Sequence, residues 1–171
     1  AVETARRQMP DDDITTAASD FFKAFFANHV LVAALLGWLV AQVLKGLIAF
    51  AQNKKMNWDR FWGSGGMPSS HSALVTSLVA SIAIKEGGIS SEAFAIALVF
   101  AFVVIYDATG VRFETGEQAK ILNRMNRELS QDEKLFERDF KELVGHTKLQ
   151  VFAGSVLGVV VAVLYWCIFV H

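Results

Sequence analysis

The chain has 171 residues, a formal net charge of −1 at pH 7 and 53% hydrophobic residues, among them 14 Phe and 4 Trp. A mean hydropathy of +0.38 is too apolar for an ordinary soluble domain and fits one small membrane domain, while the balanced charge supplies no basic field and excludes nucleic acid as the expected partner. The single cysteine, Cys167, excludes an internal disulfide and, inside an apolar run, reads as a packed or lipid-facing side chain.

Residues 1–29 are expected to form an N-terminal tail and amphipathic helix, and residues 30–171 the membrane domain. The chain starts at Ala1 and shows no cleavable signal, the pattern expected of a processed form that has lost a transit peptide. Asp11, Asp12 and Asp13 read as a solvated, helix-capping acidic run rather than a cation site. Phe21, Phe22, Phe25 and Phe26 recur at helical spacing, which predicts a segment lying on the interface or packing on the bundle.

Four spans follow. Residues 30–51 are apolar except for Gln42 and Lys45, and residues 151–170 are uncharged and end in aromatics. Between them, residues 69–84 reach only about 24 Å at 1.5 Å per residue, short of a bilayer core of about 30 Å, and residues 89–106 span more comfortably. Lys85-Glu86-Gly87-Gly88 makes the middle pair a hairpin. The expected fold is therefore all-α: a membrane bundle of about four transmembrane helices, an N-terminal amphipathic helix and short interfacial helices. Two of the latter are predicted from Ile121, Leu122, Met125 and Leu129, and from Leu135, Phe136, Phe140 and Leu143.

Four spans place residues 52–68 and 109–148 on one side of the membrane. That side carries eleven Lys and Arg residues against four on the other. The positive-inside rule then predicts a cytoplasmic face, or the stromal or matrix face of an organelle. A bacterial inner membrane and an organellar membrane such as that of a plastid both accommodate this.

The polar groups converge on the same side. In Gly65-Gly66-Met67-Pro68-Ser69-Ser70-His71-Ser72, Pro68 suits a first helical turn and Ser69 or Ser70 a cap, so free N–H groups and the helix dipole favour phosphate or a related oxyanion. A capped helix with a polar histidine is the plainer alternative. Lys45 either snorkels to the interface or meets an anion. Asp107 closes the third span, and Gly110 allows a turn that returns Arg112 over the site, with an Asp107–Arg112 ion pair as the structural alternative. His146, after Gly145, opens the fourth span. Two histidines beside a phosphate permit one neutral imidazole to attack phosphorus and the other, protonated, to serve the leaving oxygen, with Lys45 and Arg112 on the equatorial oxygens. This route requires no cofactor, and no ligand cluster has metal-site spacing.

The segments Gly65–Ala73, Tyr106–Arg112 with Gln118, Ala119, Leu122 and Asn123, and Gly145–Thr147 with Val151 and Gly154 resemble the divergent branch of the type-2 phosphatidic acid phosphatase and vanadium-dependent haloperoxidase superfamily. The likeness runs from about Gln42 to Gly158. It implies an acid role for His71, a nucleophilic role for His146, phosphate contacts for Lys45, Ser69, Ser70 and Arg112, and a lipid or isoprenoid phosphate or diphosphate as substrate. It also implies membrane lipids as the surrounding partners and vanadate as a phosphate mimic.

Two positions depart from the wider superfamily: Ser70 stands where its commoner motif has glycine, as in the divergent branch, and the second lies beside the nucleophilic histidine. One turn after the nucleophilic histidine, where a carboxylate is expected, stands Gln150, so Glu142 or Asp107 becomes the candidate substitute. Two functions therefore compete: a membrane phosphatase working through phosphohistidine, and a weak or inactive relative serving as a structural or assembly subunit of a larger membrane complex. A third reading, a serine hydrolase using Ser64 in a glycine-rich loop, competes with plain loop flexibility.

Overall fold

A computed structural model describes residues 11–53, 66–129, 139–140, 142 and 145–170. All regular structure among them is helical: α1 (Asp11–Ala27), α2 (His29–Asn53), α3 (Ser70–Lys85), α4 (Glu92–Thr109), α5 (Val111–Glu128) and α6 (Lys148–Phe169). By length and composition α2, α4 and α6 can each cross a membrane, and α3 is a shorter apolar helix. The expected membrane helical bundle with an N-terminal helix is the fold observed. Ser64, Leu135, Phe136 and Leu143 lie outside the described residues.

Local chemistry sets the helix ends. Ser69, in extended conformation, caps α3 by accepting from the Ser72 N–H at 3.3 Å, which satisfies one of the donors a helix start leaves open. Pro68 precedes this cap, so it lies outside the helix rather than in its first turn. At the far end Gly87 and Gly88 adopt φ of +68° and +155°, a conformation glycine supplies readily, and Ser91 caps α4 by accepting from Phe94 N–H.

α3 is the hub, packed on α2, α4 and α6. Its neighbours reach it through small residues. An added Cβ at Gly154 would stand 2.3 Å from the Ser69 carbonyl, one at Gly158 2.3 Å from the Ala73 carbonyl, and one at Gly37 2.9 Å from Ser77 Cβ. Ala33, Ala73, Ser77 and Ala162 are fully buried, and the Ser77 hydroxyl donates to the Ala33 carbonyl at 2.9 Å. Close backbone approach with buried hydroxyl bonding is how helices associate in a solvent as apolar as their side chains.

Helix directions follow from these contacts. Ser69 N–H donates to the Gln150 carbonyl, so α3 and α6 start together; the Ala33–Ser77 and His29–Tyr165 bonds make α2 antiparallel to both. The His146 N–H donates to the Ala108 carbonyl at 3.0 Å, bringing the end of α4 to the same pole. The ends of α2 and α4 and the starts of α3 and α6 thus share one pole.

Two expectations change in detail. Gly110, with φ −103° and ψ −96°, is the turn between α4 and α5 that returns Arg112 to Asp107, but the first expected interfacial helix is the distal part of the longer α5. Phe140 is not helical; its backbone N–H and carbonyl are both held by the Asn123 side chain. In α1, Phe21, Phe22 and Phe26 are exposed, with edge-on ring contacts in the pairs Phe21–Phe22 and Phe25–Phe26.

Candidate functional site

At the shared pole a cavity of about 260 Å³ is lined by His71, Val103, Val104, Asp107, Ala108, Arg112 and His146. His71 rides on the first turn of α3 and His146 two residues before α6. Their ring centroids are 6.4 Å apart with the planes at 60°. The rings meet because the starts of α3 and α6 are clamped together by the Ser69–Gln150 backbone bond and because Gly154 lets α6 lie against Ser69.

His146 is 4% exposed, and burial holds its imidazole below the usual histidine pKa; a hydrogen bond to Gln150 acts against this, His71 and Lys45 act with it, and the Gly66 backbone opposes it least. The Nδ1 atom of His146 lies 3.2 Å from Gln150 Oε1. That same oxygen accepts the Thr147 N–H at 3.1 Å, while Thr147 Oγ1 accepts the Gln150 N–H at 3.3 Å. The two residues form the capping box of α6. Gln150, and neither Glu142 nor Asp107, is therefore the side chain on His146.

Glu142 is engaged elsewhere, accepting from Asn123 Nδ2 at 2.9 Å and facing Arg127 at 3.8 Å. Asp107 accepts from Arg112 Nε, so the Asp–Arg pair is formed, with both residues in the cavity wall. Lys45 is 4% exposed and its stem passes the Gly66 backbone; its charge acts on both imidazoles. Gln42, one turn before it, is 5% exposed, and its Oε1 has no hydrogen-bond partner among the described residues.

Ser69 and Ser70 do not line the cavity. Ser69 is fully buried, its hydroxyl taken up by Ser72 N–H and Ser72 Oγ, and Ser70 is buried beside it. Thr147 is the contributor that the residue-by-residue reading missed. Its signal was present as Thr147-x-x-Gln150 immediately before an apolar run, the pattern of a capping box. Val103 and Val104, which give the cavity an apolar wall, carried no signal beyond membership of a span. Among the described residues no group of three or more His, Cys, Asp or Glu side chains is placed to hold a metal ion.

Apolar helices packed through small residues, with two histidines, an arginine and a buried lysine gathered at one pole, define a small polytopic membrane protein with a polar site at one end of the bundle. The chain belongs to the divergent PAP2 family, whose pattern it matches over residues 26–161. It is 37% identical over 148 residues to YuiD, an uncharacterized membrane protein of Bacillus subtilis (strain 168), a likeness covering 80% of this chain and 93% of that protein. No solved structure matches it.

Proposed function

We propose that the protein is an integral-membrane phosphatase for a lipid or isoprenoid phosphate or diphosphate, with His146 as nucleophile and His71 as general acid. The observation that carries this reading is the pair of imidazoles facing one cavity across 6.4 Å, with Arg112 in its wall and Lys45 within electrostatic reach of both rings. A nucleophile must be neutral at working pH, and the burial of His146 favours that form.

In the first step a His146 ring nitrogen forms a bond to phosphorus as the bond from phosphorus to the lipid oxygen breaks, and protonated His71 gives its proton to that leaving oxygen. In the second, neutral His71 takes a proton from water, the water oxygen attacks the phosphohistidine, and inorganic phosphate leaves with His146 regenerated. Arg112 and Lys45 stabilise the equatorial oxygens in both steps. The excess of Lys and Arg in the flanking loops supports a cytoplasmic, stromal or matrix location for this pole.

The test is phosphate release from a panel of lipid and isoprenoid phosphates by the protein reconstituted in vesicles. Release that His146→Ala and His71→Ala abolish and vanadate inhibits is the expected result. The second reading, a non-catalytic subunit of a larger membrane complex, draws on Gln150, since a neutral amide supplies no charge to stabilise an imidazolium. No release across the panel, together with copurification of a stoichiometric partner, favours that reading.

A further inference from the structure

We infer that the capping box of α6 is also a tautomer clamp: Thr147 and Gln150 are positioning residues that hold His146 with its proton on Nδ1, leaving Nε2 as the lone-pair nitrogen. The functional meaning of this clamp rests on His146 being the nucleophile; its chemistry does not.

The inference starts from which end of the Gln150 amide faces His146. A side-chain amide reads almost the same in either orientation, so the choice is made by its hydrogen-bond partners. Here the backbone N–H of Thr147 points at Gln150 Oε1 from 3.1 Å. An N–H has only a hydrogen to offer; turning the amide round would set its NH₂ against another donor. The helix start therefore fixes the oxygen in place, and the Thr147 hydroxyl, accepting from the Gln150 N–H at 3.3 Å, fixes the backbone that carries it.

The fixed atom is an acceptor, and it lies 3.2 Å from His146 Nδ1. A bare Nδ1 would turn its lone pair against that oxygen, so the contact is attractive only if Nδ1 donates to the oxygen's second lone pair, and in neutral imidazole a proton on Nδ1 leaves Nε2 bare. A carboxylate would enforce the same tautomer and also stabilise the charged ring. The amide enforces the tautomer alone, which a nucleophile needs before any charge develops. The neighbouring charged groups do not compete for Nδ1: Asp107 is paired with Arg112, and Glu142 with Asn123 and Arg127. The rival is the Gly66 backbone, which acts on the same ring and would favour a proton on the nitrogen it faces.

The deciding measurement is ¹⁵N NMR of the full chain, labelled at histidine and reconstituted in lipid nanodiscs above pH 7, with the His146 signals assigned by comparison with His146→Gln. The expected spectrum has the proton coupled to Nδ1 and a bare Nε2. Gln150→Leu removes the acceptor and should lose this preference. Thr147→Pro should lose it with Gln150 retained, because proline lacks the N–H while its fixed φ suits the −71° found there. Thr147→Ser should keep it. A wild-type spectrum with the proton on Nε2 overturns the inference, as does an unchanged tautomer in Gln150→Leu. Absence of phosphate release would remove the proposed reaction but leave this result standing.

Discussion

The backbone N–H of His146 donates to the carbonyl of Ala108 at 3.0 Å, so the candidate nucleophile is fastened to the last turn of α4 as well as to the start of α6. Gly145 makes this approach feasible: an added Cβ there would stand 2.3 Å from the Phe113 N and 2.4 Å from its Cα. Backbone does not yield as a flexible side-chain tip does. Gly145→Ala should therefore destabilise the protein by about 1–3 kcal/mol, the usual range for overpacking, and displace His146 from the cavity. Thermal unfolding in detergent, paired with phosphate release, checks this; unchanged values in both would show that the chain at 145 has room to move.

Arg112 offers the opposite balance. It and its partner Asp107 are 51% and 42% exposed at the side chain, and exposed ion pairs contribute only about 0–1 kcal/mol to stability. Arg112→Gln should leave the unfolding midpoint almost unchanged. Its effect belongs to ligand affinity, because removing the guanidinium deletes a cation from the cavity wall. A rise in the vanadate concentration needed for half-inhibition, by tenfold or more, is the expected result. Equal loss of stability and inhibition would mark the pair as structural.

Much of this pole was legible from residue order, and what was not has a physical cause. The histidines sit beside helix starts in polar motifs, and four spans oblige those starts to share a side, so His71, His146 and Arg112 could be grouped before any geometry. Side-chain direction was not legible. Ser69 stands in the right motif, yet its hydroxyl is used up in capping, a competition between helix end and ligand that spacing alone does not decide. Glu142 is close to His146 in sequence, but Asn123 and Arg127 hold it on α5. The first interfacial helix was underestimated because Gly110 permits a break without unwinding the following turn, and nothing local marks where α5 begins.

The depressed pKa of His146 has two consequences of definite sign. Burial disfavours the charged ring in the fold, so between the ordinary histidine value of about 6.5 and the lower folded value the unfolded chain binds a proton that the native state does not. Stability contributed by this group is thus present above about pH 6.5 and is lost as pH falls through the folded pKa. His71 and Lys45 reinforce the depression, while Gln150 and the Gly66 backbone oppose it. Unfolding midpoints recorded from pH 8 to pH 5 should fall more steeply for the wild type than for His146→Gln. The acid limb of any phosphatase profile should likewise lie below pH 6.5.

Gln150→Glu adds the missing charge without changing the length of the side chain. A carboxylate against Nδ1 should raise the His146 pKa and stabilise the cationic ring that develops as Nε2 bonds to phosphorus. In the serine-protease triad, an amide in place of the carboxylate costs roughly 10⁴ in rate, largely by selecting the wrong tautomer. Here the amide already faces its oxygen to the ring, so the gain should be smaller, on the order of 10- to 100-fold in kcat, with the acid limb moved to higher pH. Phosphate release against pH for the two proteins provides the measurement. A rate increase with no movement of the acid limb would contradict the electrostatic account.

Gly154 and Gly158 separate the packing of the bundle from the assembly of the site. Both bring α6 onto the backbone of α3, and an added Cβ at either would stand 2.3 Å from a carbonyl oxygen. They differ in depth: Gly154 meets Ser69, two residues from His71, whereas Gly158 meets Ala73 and Thr76, about 6 Å farther along α6 at 1.5 Å per residue. Each substitution to Ala should cost about 1–3 kcal/mol by overpacking. Only Gly154→Ala should also part the two imidazoles, since it levers the start of α3 away from Gln150 and strains the Ser69–Gln150 backbone bond. Unfolding midpoints should therefore fall in both variants, while vanadate affinity, measured well below those midpoints, should fall by tenfold or more in Gly154→Ala and stay near wild type in Gly158→Ala. Equal loss of affinity in the two would mean that the spacing of His71 and His146 is set by the whole α3–α6 contact rather than by its first turn.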